Sequence, residues 1–473
     1  MAVELRAIDK KHSYQVVKTL QVKSKKFTFR SVPVDFIFLK KCSRSLRVPF
    51  YQGRIMAQQY GIKLIPSQAK TIDGITFKGE LRKHQEEPYQ HALNNLKKHN
   101  TAFLCLYTGA GKTVVGISLA IRTKRVIAVI TNRVNPLLNQ WYNSFLKFSD
   151  AKIYCQGSSK LSNCTEDEAN VFLLYRQRII KLKPENRDRI GTVIIDEAHT
   201  FCSKNAATEL LSLKPWYLIL LTATPDKLDK TDKALTLLAG SDRIRLRYRG
   251  KFPVEIHETG IIPLRVKNEK GIPKWSVHVQ SLLYSERRNQ RILELVKRNQ
   301  DWKILILTAE NAHGFLLHRL LIDQAIDNDF YLGKKKSYRD SSVLIGTVPK
   351  IGTGFDEANS CDNFNNREID LLIVTTSYRD PSVVEQYVGR VLRSDNPRVI
   401  YLLDDHPVNQ KHFMIAHKWL ISRGGKVTQI KQQKPSVQSF SCPKELKEHR
   451  EHLDLIYQKN WNIKYEKDQE LRK

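Results

Sequence analysis

The run Thr108-Gly109-Ala110-Gly111-Lys112-Thr113 has the make-up of a phosphate cradle. Glycines let backbone N–H groups approach anionic oxygens, and a helix starting at Val114 would add the positive field of its N-terminus. Lys112 is placed to contact the β- and γ-phosphates of a nucleoside triphosphate, and Thr113 to ligate Mg²⁺. The full pattern asks for glycine at position 106, where this chain has Leu106. Farther on, Asp196-Glu197-Ala198-His199 follows the apolar run Val193-Ile194-Ile195. Acids at the C-terminal end of a buried strand lie where α/β sheets bind ligands. Asp196 suits Mg²⁺, and Glu197 suits orienting and deprotonating an attacking water. An acidic pair that merely caps the next helix is the plainer alternative, but such a pair needs no apolar strand before it. Upstream of the cradle, Gln85 has both a donor and an acceptor for an adenine edge, although a helix glutamine is commonly only solvated. The chemistry expected is hydrolysis of ATP with Mg²⁺.

The elements that must position these groups read as two α/β series. Ala102–Leu106, Val126–Ile130, Val193–Ile195 and Leu218–Leu221 are candidate buried strands separated by helical stretches. Such continuous apolar runs predict a parallel sheet covered on both faces. A second series consists of Lys303–Leu307, Val343–Ile345, Leu371–Val374 and Val399–Leu403. Between them, Gly250, Pro253, Gly260, Pro263, Gly271 and Pro273 punctuate a stretch that reads as a linker. Ahead of both series, Gln15-Val16-Val17, Phe27–Arg30 and Phe36–Leu39 alternate as short strands. They predict a small basic β-containing domain, with Phe27, Phe29, Phe36 and Phe38 on its buried face. The expected division is an accessory domain over 1–78, α/β domains over 79–249 and 275–425, a linker over 250–274, and a basic polar extension over 426–473. In that extension Lys444 to Tyr457 suits a charged helix.

Composition narrows the partner. The 473 residues carry a formal net charge of +31, and a chain this basic usually meets a polyanion, with nucleic acid the leading candidate. The seven cysteines are scattered without C-x-x-C spacing, which suggests neither a disulfide framework nor a zinc site. The start of the sequence has no apolar signal core and no run is long enough to span a bilayer. These features predict a soluble intracellular protein.

Further motifs accompany the first two. They are Ile130-Thr131-Asn132-Arg133, Thr222-Ala223-Thr224-Pro225, Thr347 with Gly352-Thr353-Gly354-Phe355-Asp356, and Gln386-Tyr387-Val388-Gly389-Arg390-Val391-Leu392-Arg393. In this order they resemble the superfamily 2 helicases of the DExH type. Within that superfamily the chain is similar to helicases of large DNA viruses, typified by the poxvirus transcript-release helicase. It also resembles the XPB-like and phage recombination helicases. Ser285-Glu286-Arg287-Arg288-Asn289 adds to this nearer likeness.

The resemblance implies two tandem RecA-like domains. It puts Lys112, Thr113, Asp196 and Glu197 to work from the first. It assigns Gln386 to the γ-phosphate, Arg390 and Arg393 to charge neutralisation from the second domain, Asp356 to the ribose, and Gly354 to close backbone approach. Thr108, Gly109, Ala110 and Gly111 complete the ATP cradle. His199, Thr222 and Thr224 are the implied couplers between nucleotide state and domain movement. Asn132, Arg133 and Thr347 are the implied nucleic-acid contacts. Lys334-Lys335-Lys336 suits an extension of the phosphate track or a solvated loop. Trp141 suits base stacking or, on an amphipathic helix, core packing. The function expected is a DNA helicase that unwinds or remodels DNA or DNA–RNA hybrids in viral-type transcript release, repair or recombination, alongside the corresponding machinery. A duplex translocase, an RNA helicase and a non-catalytic nucleic-acid-binding scaffold are the alternatives.

Overall fold

The structure is a computed structural model that describes the chain apart from residues 1, 7–9, 24–34, 43–44, 66, 73, 133–136, 227–229, 249, 353–354, 432–434, 454 and 457–473. Phe27, Phe29, Arg133, Gly354 and Tyr457 therefore lie outside the described residues. The chain divides into two compact units, Met1–Arg247 and Tyr248–Lys473. No helix among the described residues is long and apolar enough to cross a membrane.

In the first unit the apolar runs form a seven-stranded sheet. Its order is Ile244–Leu246, Thr101–Leu106, Tyr217–Thr222, Ile190–Ile195, Val126–Thr131, Val171–Tyr175 and Ile153–Cys155, and all pairs are parallel. Successive residues of a strand point to opposite faces, so Phe103 and Cys105 enter one apolar cluster while Ala102, Leu104 and Leu106 enter another. The helices Lys83–His99, Lys112–Arg122 and Leu137–Phe148 cover the second face through Ala92, Leu119, Trp141 and Phe145.

The N-terminal block is an antiparallel sheet in the order Lys40–Cys42, Ser45–Pro49, Ala2–Arg6 and Leu64–Ile65. It shares a core with the first parallel sheet rather than enclosing one of its own. Leu5, Val48 and Phe50 belong to the same apolar cluster as Leu213, Leu235 and Leu238. The Ala2 N–H donates to the Leu213 carbonyl at 2.8 Å, and Lys214 pairs with Glu4 at 3.2 Å. Gln15-Val16-Val17, expected as a strand, lies in the helix Lys10–Leu20. Val16 and Leu20, four apart, are buried while Val17 is exposed, which is a helical period rather than a strand period. Phe36–Ile37 is a strand, and Phe36 and Phe38 are buried as expected.

The second unit repeats the architecture with seven parallel strands. Their order is Asn328–Tyr331, Val343–Thr347, Ile304–Thr308, Leu371–Val374, Arg398–Leu403, Phe252–Glu258 and Gly425–Ile430. Two of these correct the sequence reading. Phe252–Glu258, expected within the linker, is an inner strand whose Phe252, Val254 and Ile256 are buried in alternation. Gly250, Pro253 and Gly260 masked that period. Gly425–Ile430 forms the sheet edge across the expected boundary at 425. Beyond it, residues 443–453 are helical as anticipated, and Leu446 packs against Leu264, Leu283 and Phe440. The fold is thus two tandem RecA-like parallel sheets with a small β-containing block at the N-terminus.

Candidate functional site

In the first unit the strand Thr101–Leu106 is wholly buried and delivers the chain to the phosphate loop. The strand runs through residue 106, which explains the missing glycine. The Leu106 side chain is in the core while its carbonyl accepts from Lys112 Nζ at 3.4 Å. Gly109 and Gly111 adopt φ of 95° and 80°, a left-handed conformation that a side chain resists. The helix Lys112–Arg122 starts immediately after, so its free N–H groups face the loop. Gln85 is buried against this loop. Its Nε2 donates to the Ala110 carbonyl at 2.7 Å, and its Oε1 accepts from the Arg82 N–H at 2.8 Å. A Cβ on Gly111 would sit 2.2 Å from Gln85 Nε2, so a side chain there would displace the glutamine amide from the loop. Gln85 shapes the cradle, a task the sequence reading did not foresee.

Asp196 leaves the end of the buried strand Ile190–Ile195. Its Oδ2 accepts from the Trp141 indole N–H at 2.8 Å and its Oδ1 from the Glu197 N–H at 2.9 Å. Burial, then the negative charge of Glu197, raises the Asp196 pKa, with Lys112 among the opposing influences. Glu197 has φ 48° and ψ 51°, left-handed for a residue with a side chain. Its Oε2 is buried with no hydrogen-bond partner and lies 3.4 Å from His199 Nδ1. The same His199 nitrogen shares a hydrogen bond of 2.8 Å with Thr222 Oγ1. Thr222 Oγ1 in turn accepts from the Thr224 N–H at 3.1 Å, while Thr224 Oγ1 is buried without a partner. Strain and unmet hydrogen bonding concentrated at one acid mark it for a task other than folding. Left-handed glycines at a helix start, a lysine, an aspartate and an orphaned glutamate fit a nucleoside triphosphate with Mg²⁺. Thr113, in the first turn of the helix, is half-buried.

Trp141 is buried in the core, as its helix suggested. Its bond to Asp196, from 55 residues away, has no local sequence signal. Asn132 is likewise held from a distance, its Oδ1 accepting from Arg176, which also pairs with Glu209.

The second unit gathers its expected residues around residues 351–356. Arg390 is buried and donates to the carbonyls of Ile351 at 2.9 Å, Phe355 at 2.8 Å and Gly352. A Cβ on Gly352 would lie 2.6 Å from the Val348 carbonyl oxygen and 3.0 Å from Gln386 Oε1, so only glycine fits beside that glutamine. Asp356 caps the short helix Glu357–Ser360 by accepting from the Ala358 N–H at 3.0 Å. Its other oxygen is 4.0 Å from Arg393 Nη1. Thr347 ends the strand Val343–Thr347 and is buried. Arg288, from the run 285–289, is a buried partner of Asp404 through contacts of 2.8 and 3.1 Å. The Lys334–Lys336 triplet is partly committed, because Lys335 pairs with Asp329 at 2.6 Å.

Residues 78–227 match the family described as "Type III restriction enzyme, res subunit". Among curated proteins, "Putative helicase 161L" of Invertebrate iridescent virus 6 is 27% identical over 84% of this chain and 93% of its own length. "Putative helicase 055L" of Frog virus 3 is 27% identical over 70% of this chain and 75% of its own length. Among solved structures, the helicase domain of Pyrococcus furiosus Hef aligns with TM-score 0.45 and 16% identity, covering 71% of this chain and 98% of that one. The family match over residues 78–227 and the viral relatives together support a superfamily 2 helicase family for this chain.

Proposed function

We propose that this chain is a DExH-type DNA helicase that unwinds or remodels DNA or DNA–RNA hybrids, in viral-type transcript release or in repair and recombination. The observation that carries the catalytic reading is the strained Glu197, whose orphaned buried oxygen sits beside Asp196 and the phosphate loop. In this reading the N–H groups around Gly109–Gly111 hold phosphate oxygens, and Lys112 leaves the Leu106 carbonyl for the terminal phosphates. Thr113 and Asp196 hold Mg²⁺, which when bound neutralises charge on the transferred phosphoryl group. Glu197 orients water and accepts its proton. His199, beside Glu197 and bonded to Thr222, relays the state of that carboxylate toward Thr224.

In the second unit the contacts of Arg390 support a division between two arginines. Arg390 shapes residues 351–356, while the half-buried Arg393, in longer contact with Asp356, is the one assigned to phosphoryl charge. Gln386 works beside Gly352, with Asp356 assigned to the ribose. Asn132, Arg133 and Thr347 are assigned to backbone phosphates, and the net charge of +31 supports a phosphate-dominated grip. The likeness to DNA-virus and XPB-like helicases favours DNA.

The test is steady-state ATP hydrolysis by the full chain alone and with single-stranded DNA, duplex DNA or RNA. DNA-stimulated turnover together with strand release from a forked substrate is expected. Stimulation without strand release would favour a duplex translocase, and stimulation by RNA alone an RNA helicase. Absence of turnover under every condition would leave a nucleic-acid-binding scaffold.

A further inference from the structure

Trp275 is the one exposed tryptophan among the described residues, with 41% of its surface open. It opens the helix Trp275–Leu283, and one face of its indole is stacked on His278 with centroids 4.2 Å apart and planes 15° from parallel. Behind that pair the support is built of further rings. His406 meets His278 edge-on at 4.4 Å, and His412 meets Trp275 edge-on at 6.0 Å. Each histidine is itself anchored. His278 Nε2 bonds to Asn409 Oδ1 at 3.3 Å, His412 Nδ1 to Ser377 Oγ at 3.2 Å, and His406 Nδ1 accepts from the Val408 N–H at 3.2 Å. An indole held so firmly from behind, with its outer side open, is a flat apolar plate rather than a core residue.

Its position and its charge name the occupant. Ser377 and His406 follow the ends of the neighbouring strands Leu371–Val374 and Arg398–Leu403, on the side where parallel sheets bind ligands. Thr347 ends a strand of the same sheet on the same side. Its strand is three spacings from Arg398–Leu403, about 14 Å, or roughly four stacked nucleotides at ~3.4 Å each. Exposed Lys274 precedes the indole, exposed Arg265 acts electrostatically on His278 and His406, and exposed Arg379 acts on His412. Asp404, buried against Arg288, and half-buried Asp405 act on the same rings with opposite sign. The exposed cations beside this flat ring suit a nucleobase attached to its phosphate, because every base offers a π-face to an aromatic side chain.

We propose that Trp275 is a stacking platform for a base of a single nucleic-acid strand, on the second unit; the inference rests on the nucleic-acid-motor reading above. The full chain is titrated against labelled oligothymidylate and oligouridylate, each of about 20 nucleotides, by fluorescence anisotropy between about 50 and 200 mM salt. Trp275→Ala is expected to weaken both complexes by about 5- to 150-fold, and Trp275→Phe to recover most of that loss. The plots of log affinity against log salt should stay parallel to the parent's, since stacking releases no counterions. Parent-like binding by Trp275→Ala would overturn the platform, as would an equal loss in Trp275→Phe, a flattened salt slope, or a loss confined to one of the two strands. A parent chain that binds neither strand would overturn the motor reading and the platform together. Strand binding that depends on Trp275, in a chain with no ATP hydrolysis, would remove the motor reading and leave the platform standing.

Discussion

The phosphate loop of the first unit directly follows a buried parallel strand, while Gly352, Phe355 and Asp356 of the second lie beyond the short helix Val348–Ile351. The charged groups central to the two are finished in opposite ways. Around the first, polar groups are left unsatisfied. Glu197 Oε2 and Thr224 Oγ1 are buried without hydrogen-bond partners, and Glu197 itself is held left-handed. Around the second, a buried guanidinium spends its donors on the carbonyls of Ile351, Gly352 and Phe355. A buried group without a partner costs stability, so it persists where a ligand supplies the partner. A buried charge bonded to three carbonyls serves construction, although Arg393 Nε and the Tyr387 hydroxyl nearby are also buried without a hydrogen-bond partner. Two motifs of similar length thus differ in what a substitution should break.

The comparison is broken most directly at Glu197. Glu197→Gln should lower ATP turnover by about 10²- to 10⁴-fold while leaving nucleotide binding intact. Wild-type turnover in that variant would remove the first loop's claim to chemistry. Lys112→Ala should likewise lose most hydrolysis, read in the same phosphate-release assay.

Arg390→Ala should act on stability first. It leaves three carbonyls without their donor, at a cost of about 2–4 kcal/mol, visible as an earlier unfolding transition in urea. Arg393→Ala, with its longer contacts, should cut turnover and leave that transition nearly in place. If the two variants exchanged behaviours, the division between chemical and constructional arginines would be reversed.

The second unit should also be the acid-sensitive one. Burial pushes His278 down to about 4 and His313 down to about 3, below the ordinary histidine value of 6.5. Unfolded rings bind protons below about pH 6.5 while the folded rings stay neutral, so the unfolded state takes up more protons. Stability should therefore fall as pH drops from about 6.5 toward 4. Comparing urea transitions at both ends of that range, His313→Gln should show a smaller acid-induced loss than the parent; an equal loss would acquit this ring.

The smallest effect expected is at Trp141. Trp141→Phe keeps the packing but removes the indole donor to Asp196, a bond to a charged group of about 1.5–3 kcal/mol. Turnover should drop about tenfold or somewhat more, with a changed Mg²⁺ requirement in a metal titration. An unaltered Mg²⁺ dependence would show that Asp196 holds its position without the indole.

The sequence was legible where the signal is local. Glycines, the lysine and the strand-end acids lie within short runs, and buried strands announce themselves as apolar stretches. What escaped was set by distance or by competing periods. Trp141 and Arg176 meet Asp196 and Asn132 only after folding. Val16-Val17 reads as strand until Leu20 shows which face is buried. Phe252–Glu258 was hidden because proline and glycine punctuate the alternation that marks it. The carbonyl contacts of Arg390 were not legible because a motif arginine looks the same in sequence whether it faces a phosphate or a row of carbonyls.

The shared core of the N-terminal sheet sets an order of events during synthesis. The strand Ala2–Arg6 and the helix Phe50–Tyr60 are made well before Leu213, Leu235 and Leu238, which belong to the apolar surface they pack on. At ~5–20 residues per second, those partners arrive roughly 10–40 seconds after the early segments have been made. The nascent chain must carry Leu5, Val48 and Phe50 uncovered through that interval. These segments are therefore completed only after a long interval, and their core closes only when the helix Lys233–Ala239, which carries Leu235 and Leu238, has emerged.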